Sequence, residues 1–484
     1  MALLYAVRRT TRRTTYHTPP PPTHFVSHPY PPTGTPTLHH PPTMPDFHWG
    51  IPVLLMLVFI FYLNAYSEME PFVNYGATDA STTATAASLS AIGGGASTDT
   101  LPGDPNASHD DDDTTEGFAN YYKKCGDAQP TGILKDIFET YEIYKTRGDQ
   151  WELFLPCNYT HAERELRTTA FPLDAQATLV PGTADGQQPR AVFAVDGCDQ
   201  LVSKNRLWTL LLQAYGRPRA STLMPPTYVF TSPADAKQFL EDYTPGAMYI
   251  CKKNVQRKQG LLRTRNLDLI LRSHVQGFKL VQTYLTDVYT VKRRKLNLRY
   301  YVLLVCDAYG TKRAYVHREG KCLYTAKPYD PDADDDAHHI TSTGVTAAHY
   351  ADDQLPLTFA ELRAHMYGHS QDYDAVFKAV SDKLQYVVEA VMPAMCIDSK
   401  FKHHLRFQLF GVDVLLTSKL DPYVLEFNKG PNMKPVNQAD YALKRVVLED
   451  TFKQAGFLPT DRGAPSGFVL LREMDVNNVG RWTG

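Results

Sequence analysis

The chain changes character at Phe118, and that change limits where a fold can form. Residues 1–46 are dominated by Pro, Thr and His, as in "YHTPPPPTHFVSHPYPPTGTPTLHHPPT", and offer too little apolar surface to offset the cost of ordering a backbone. Residues 68–117 are Ala/Ser/Thr/Gly-rich, close on "HDDDDTTEG" and read as a flexible acidic linker. Between them, Phe47 to Ser67 carries no fixed charge and is about as long as a bilayer's hydrocarbon core requires. Trp49, Tyr62 and Tyr66 stand near its ends, where interfacial aromatics sit. The expectation is a disordered region over 1–46, a transmembrane anchor over 47–67, the linker, and a folded body from 118 onward.

The whole chain of 484 residues is 43% apolar, enough for one large core or two moderate ones. Its net charge of -2 gives no global electrostatic reason to bind nucleic acid, and none is expected as a partner. Seven cysteines lie scattered without a C-x-x-C pair, which excludes a zinc framework and predicts reduced thiols. Helical spacing is read over 131–147, 201–215 and much of 359–396. Ser232 followed by Pro233 reads as a helix cap. Strand patterns recur in "AMYICKKN", "FKLVQTYL", "LNLRYYVLLVCD", "RAYVHREGKCLYTA" and "RFQLFGVDVLLTSKLDPYVLEFN". The order of elements predicts an α+β body with antiparallel-rich sheets and packed helices.

Three stretches carry candidate chemistry. "GVDVLLTSKLDPYVLEFN" reads as a hairpin, and a loop over Ser418–Asp421 sets Asp413 opposite Glu426, with Asn428 one step along. Two opposed carboxylates repel unless a cation lies between them, and magnesium takes such ligands together with substrate phosphates. In "KRRKLNLRYYVLL", Lys295, Asn297 and Arg299 alternate with Leu296 and Leu298, so three polar side chains share one face. In "MYICKKNVQRKQGLL", Lys252 ends a hydrophobic strand ahead of a basic loop with Gly260, a pattern suited to phosphate oxygens. A run such as "DPDADDDAHH" matches only the opening of a calcium loop and reads as acidic surface.

In this order the motifs resemble the tubulin–tyrosine ligase-like family, whose fold is of the ATP-grasp type. The likeness covers residues 118–484 and starts with "YKTRGDQWELFLPCNY" and "LVSKNRLWTLL". It continues through "YICKKNVQRKQGLL", "LVQTYL", "KLNLRYYVLLV", "AYVHREGKCLY", "HHITS", "FGVDVLL" and "YVLEFNKGPNM". The resemblance implies an N-terminal subdomain over 118–200 and central and C-terminal ATP-grasp subdomains over 201–484. It further implies that Lys252 and Lys295 contact nucleotide phosphates, with Gly260 in the glycine loop. Gln282, Tyr284 and Leu285 fall at the adenine hinge. Asp413, Glu426 and Asn428 hold Mg2+. Arg299 and Arg318 face the γ-phosphate or the reacting carboxylate, beside Asn297, and His339 and Thr341 touch the incoming amino acid or nucleotide.

The implied chemistry is ATP-dependent amide formation, in which a protein carboxylate becomes an acyl phosphate and a free amino acid's amine displaces the phosphate. Tubulin's acidic tail is the implied acceptor. Because that chemistry draws on ATP, the expected location is a single-pass membrane protein with a cytosolic body. Departures from the family pattern are Asn297 where an aspartate is usual, a reduced loop at Gln259-Gly260, and Ser342 where an asparagine is usual. They support a rival reading, a catalytically degenerate nucleotide- or tubulin-binding membrane scaffold.

Overall fold

One strand sets the architecture, because its two faces belong to two different cores. The computed structural model describes residues 119–123, 130–146, 151–171, 179–181, 187–254, 260–341, 345–352, 354–460 and 466–475. Seven elements position the site. They are α1 (Lys204–Leu223), β1 (Tyr249–Lys252), β2 (Leu280–Thr283), β3 (Arg294–Cys306), α2 (Tyr373–Val391), β4 (Leu405–Leu416) and β5 (Pro422–Asn428), and a further helix, α3 (Gln438–Gln454), follows them.

Strand β3 places Leu296, Leu298, Tyr300, Val302 and Leu304 on one face, packed with Trp208 and Leu211 of α1 and Val380, Leu384 and Val387 of α2. Tyr301, Leu303 and Val305 point the other way and pack with Leu443, Val447 and Phe452 of α3. Helices thus cover both faces of the sheet, which explains why β3 and β4 are buried along nearly their whole length. Cover on the second face ends toward the start of β3. Lys295, Asn297 and Arg299 have the same parity as Tyr301, so the face that is core at one end of the strand becomes a cleft wall at the other.

Strands β3 and β4 run antiparallel with Arg299 opposite Asp413, in an eleven-stranded sheet that also takes in β5. Its other half is parallel: Ala119–Tyr122 pairs with Ile143–Lys145 and Leu153–Phe154, and Ala191–Val192 bridges Leu153–Phe154 to β4. The body is therefore mixed α/β, a correction to the antiparallel-rich α+β expectation. A separate four-stranded antiparallel sheet contains β1 and β2 and has its own core around Phe239, Tyr249 and Val281.

Other expectations are corrected too. Among the described residues no helix is long and apolar enough to cross a membrane. The expected anchor, membrane partner and single-pass localisation thus find no support in any described helix; residues 47–67, on which they rested, lie outside the described residues, as do 1–46. The helix read over 131–147 is a helix only over Ile133–Thr140; Glu142 takes a positive φ of 52° and the chain re-enters the sheet at Ile143. The cysteines are not all reduced: Cys306 and Cys396 form a disulfide across 90 residues, and Cys157 is also disulfide-bonded. Cys198, Cys251 and Cys322 are free and buried. The Ser232 cap forms as read, its Oγ accepting from the Asp235 N–H at 3.3 Å.

Candidate active site

A cleft with a cavity volume of about 140 Å³ lies between the two sheets. Its walls include the apolar side chains of Ile250, Leu261, Leu285, Leu415 and Leu425. Two buried lysines line it as well. Lys252 donates from Nζ to Gln282 Oε1 at 2.7 Å, and Gln282 in turn donates to Thr227 Oγ1 at 2.8 Å. Lys295 donates to the Tyr284 hydroxyl at 3.0 Å and lies 4.5 Å from that ring's centre. The Tyr284 hydroxyl lies 3.0 Å from His339 Nδ1, and His339 Nε2 lies 2.8 Å from the Ala333 carbonyl. A carbonyl only accepts, so Nε2 carries the proton and Tyr284 donates to Nδ1. With both nitrogens engaged, and burial holding its pKa down, His339 is a neutral wall of the site.

Among the described residues neither lysine has a carboxylate hydrogen-bonded to it, and burial penalises their charge. It lowers Lys295 to about 7, with Lys252 and Arg263 adding to the effect. It lowers Lys252 to about 8 against an opposing pull from Glu426. A pair of desolvated ammoniums in a cleft with apolar walls is a receptor for a polyanion with an apolar head.

The carboxylates stand opposite these lysines. Asp413 pairs with Glu426 across β4 and β5, and Gly411 with Asn428. The expected register is reached by a different path. Leu416, not Thr417, pairs with Pro422, and a bulge between Asp413 and Val414 restores the alignment. The bulge also turns Leu425 into the cleft beside Glu426, whereas strict alternation sends it to the core; Val424 and Phe427 are the core residues. Arg299 clasps Asp413, from Nε at 2.5 Å and Nη2 at 3.2 Å. Gly411 permits this, since a Cβ there would meet Arg299 Cδ at 3.1 Å. Lys204 pairs with Glu426 at 3.1 Å. Burial alone would raise Glu426, but Lys204 and Lys252 outweigh it and hold the carboxyl below its usual range.

The donor set at this end of the cleft is all oxygen: two carboxylates, the Asn428 amide and the Asn297 amide. Asn297 gives its Nδ2 to Thr341 Oγ1 at 3.1 Å, while its Oδ1 is buried without a partner. Such a set suits a hard cation, and magnesium fits it. A different trio, Glu163, Cys198 and Asp199, has its ligand atoms within 4.8 Å of one another. Burial pushes the Cys198 thiol well up and Asp199 is paired with Lys429, so that trio does not suit magnesium.

The structure thus gathers Lys252, Gln282, Tyr284, Leu285, Lys295, Asn297, His339, Thr341, Asp413 and Glu426 on one cleft, with Arg299 and Asn428 on its continuation. It does not bring in Arg318, which is exposed and lies 5.7 Å over the Phe377 ring. Arg318 stands one residue past the strand Thr311–His317, beside Phe377 of α2. Gly260 takes φ +70° and its carbonyl accepts from the Lys253 N–H at 2.8 Å, while its neighbour Leu261 lines the cleft. Residues 255–259, including Gln259, lie outside the described residues, as does Ser342. Sequence reasoning missed Lys204. A cation at the first position of a helix opposes the macrodipole, and that misplacement was the available signal.

Comparison with known proteins agrees with this geometry. The model of the Tubulin-tyrosine ligase family matches residues 189–465, more than half of the chain. The chain belongs to the tubulin-tyrosine ligase family. Among its relatives is the "Probable tubulin polyglutamylase ttll-9" of Caenorhabditis elegans, 28% identical over 66% of this chain and 76% of the relative. The "Probable tubulin polyglutamylase TTLL9" of Rattus norvegicus is 29% identical over 35% of this chain and 37% of its own length. The "Tubulin polyglutamylase TTLL6" of Homo sapiens is 24% identical over 42% of this chain and 24% of its own length. The chain thus spans most of the worm relative but well under half of the mammalian ones.

Proposed function

We propose that the chain is an ATP-dependent carboxylate–amine ligase that adds glutamate to a carboxylate of tubulin. The observation that carries this reading is the juxtaposition of two desolvated lysines, Lys252 and Lys295, with the opposed carboxylates Asp413 and Glu426 in one cleft. The names of the relatives supply the acceptor and the amino acid.

The adenine sits against Ile250, Leu261 and Leu285, beside the Gln282–Leu285 segment. Lys252 and Lys295 bind the phosphates and become fully charged as they do so. Asp413, Glu426 and Asn428 would hold magnesium, which when bound would supply neutralisation of phosphate charge. The acceptor carboxylate attacks the γ-phosphorus, ADP leaves, and the acyl phosphate is then open to an amine. Arg299 positions Asp413 through the two hydrogen bonds it gives that carboxylate, next to where the reacting carboxylate would lie. Since no side chain forms a covalent intermediate, the protein contributes position and preset charge. Loss of Asp413 or Glu426 lowers turnover by about two to three orders of magnitude.

A second reading is favoured by one observation. Arg299 and Lys204 already neutralise Asp413 and Glu426, which describes a nucleotide- or tubulin-binding scaffold with no turnover. Incorporation of labelled glutamate into tubulin, dependent on both ATP and Mg2+, distinguishes the two. The ligase reading expects incorporation. ATP binding with none sinks it and leaves the scaffold.

A further inference from the structure

Beyond the Asp413–Glu426 pair the cleft opens into a second compartment, with Thr341, Asp413 and Glu426 common to both. Its wall carries a row of charge written in the sheet register. Glu426 pairs with Asp413, Asp413 with Arg299, and Arg299 with Lys321 of the strand Lys321–Tyr324. The row therefore reads minus, minus, plus, plus across four adjacent strands. Like charges directly opposed destabilise a sheet unless a counter-charge sits with them. At the acidic end Lys204 does so, and Arg299 is committed to Asp413.

At the basic end the balance does not close. Lys321 Nζ donates to Asp440 Oδ2 at 2.8 Å, and Lys444 Nζ donates to the same oxygen at 2.9 Å. The Val436 N–H takes that oxygen as well, at 2.9 Å, while Asp440 Oδ1 is buried without a partner. Lys321, Lys444 and Asp440 are 8%, 3% and 0% exposed. Two buried ammoniums thus share one carboxylate at the wall of an open compartment; of the three N–H donors each carries, Lys444 gives a second to the Lys434 carbonyl at 2.7 Å. Burial, with Lys321 next, lowers Lys444 to about 8, as expected where positive charge exceeds negative. A further anion at this wall would relieve both the like-charge opposition and the excess.

We propose that Lys321 and Lys444, held in place by Asp440, form a carboxylate-binding subsite beside the reacting centre, occupied by a carboxylate of the substrate. It deepens the ligase reading and rests on it for why a carboxylate arrives. Two sources share that chemistry, the free dicarboxylic amino acid and a glutamate of the acceptor chain.

The test is equilibrium binding to the full chain of L-glutamate against L-glutamine, and of a penta-glutamate against a penta-glutamine peptide. Each is measured on the wild type, Lys321→Gln and Lys321→Arg, with ATP titrated separately. The wild type is expected to prefer carboxylate over amide by about tenfold or more, the scale of one charge-assisted hydrogen bond. Lys321→Gln should erase that preference and Lys321→Arg retain it. A preference seen with the free amino acid assigns the subsite to the donor, and one confined to the peptide assigns it to the acceptor. No preference in either pair, or one untouched by Lys321→Gln, overturns the proposal. If Lys321→Gln does not fold, Lys444→Gln carries the same comparison, and a preference it leaves untouched overturns the proposal. Absence of ATP binding with the preference intact sinks the ligase reading and leaves the subsite.

Discussion

Lys295 and Lys252 make the nucleotide end of the cleft sensitive to pH. Their folded values of about 7 and about 8 lie below the roughly 10.4 of an unfolded lysine. Between those limits the unfolded chain holds more protons than the nucleotide-free fold, so these two groups make stability rise with pH from about 7 to about 10. Phosphate binding needs the charged form, so ATP affinity should run the opposite way and fall as pH climbs from 6.5 to 9. Calorimetric titration in buffers of different ionisation enthalpy would read both the affinity and the proton uptake; a flat profile contradicts the assignment of these lysines. Gly411 tests the other end. In Gly411→Ala the new Cβ would meet Arg299 Cδ and Pro431 Cβ at 3.1 Å, so Arg299 must give by a few tenths of an ångström beside Asp413, and turnover should fall while ATP affinity holds.

At the scale of elements, the site depends on strands whose buried faces are locked by helices. Trp208 of α1 is fully buried in the core that α1 and α2 share with the face of β3 away from the cleft. Trp208→Ala should therefore cost about 3–5 kcal/mol in urea unfolding without altering any group of the cleft. A loss under 1 kcal/mol would mean α1 is not needed to hold β3. How much of this was legible depended on local pattern. Alternation in "KLNLRYY" exposed the shared face of Lys295, Asn297 and Arg299, because a strand's period is two whatever covers it. The hairpin placed Asp413 opposite Glu426, yet the bulge that brings Leu425 into the cleft has no marker in "PYVLEFN". That Arg318 lies over Phe377 and off the cleft's lining was not legible, because motif order says nothing about which way a residue just past a strand's end turns.

Over the whole molecule, contacts distant in sequence were the least legible. Nothing in the spacing of single cysteines joins Cys306 at the end of β3 to Cys396 beyond α2. The parallel half of the sheet escaped for the same reason, since its strands are two to four residues long and leave little periodicity to read. The disulfide closes a long loop, so Cys306→Ser should lower stability by about 2–5 kcal/mol, seen as a lower melting temperature than the wild type under non-reducing conditions. Equal melting temperatures would show that the bond adds nothing.

Binding of a non-hydrolysable ATP analogue, measured with and without Mg2+ on the wild type, Asp413→Asn and Glu426→Gln, addresses the union of lysines and opposed carboxylates most directly. The wild type should bind about tenfold or more tightly with the metal, and each substitution should remove that gain while leaving metal-free binding near the wild-type level. Equal affinity with and without Mg2+ in the wild type, or a gain that survives both substitutions, would contradict it.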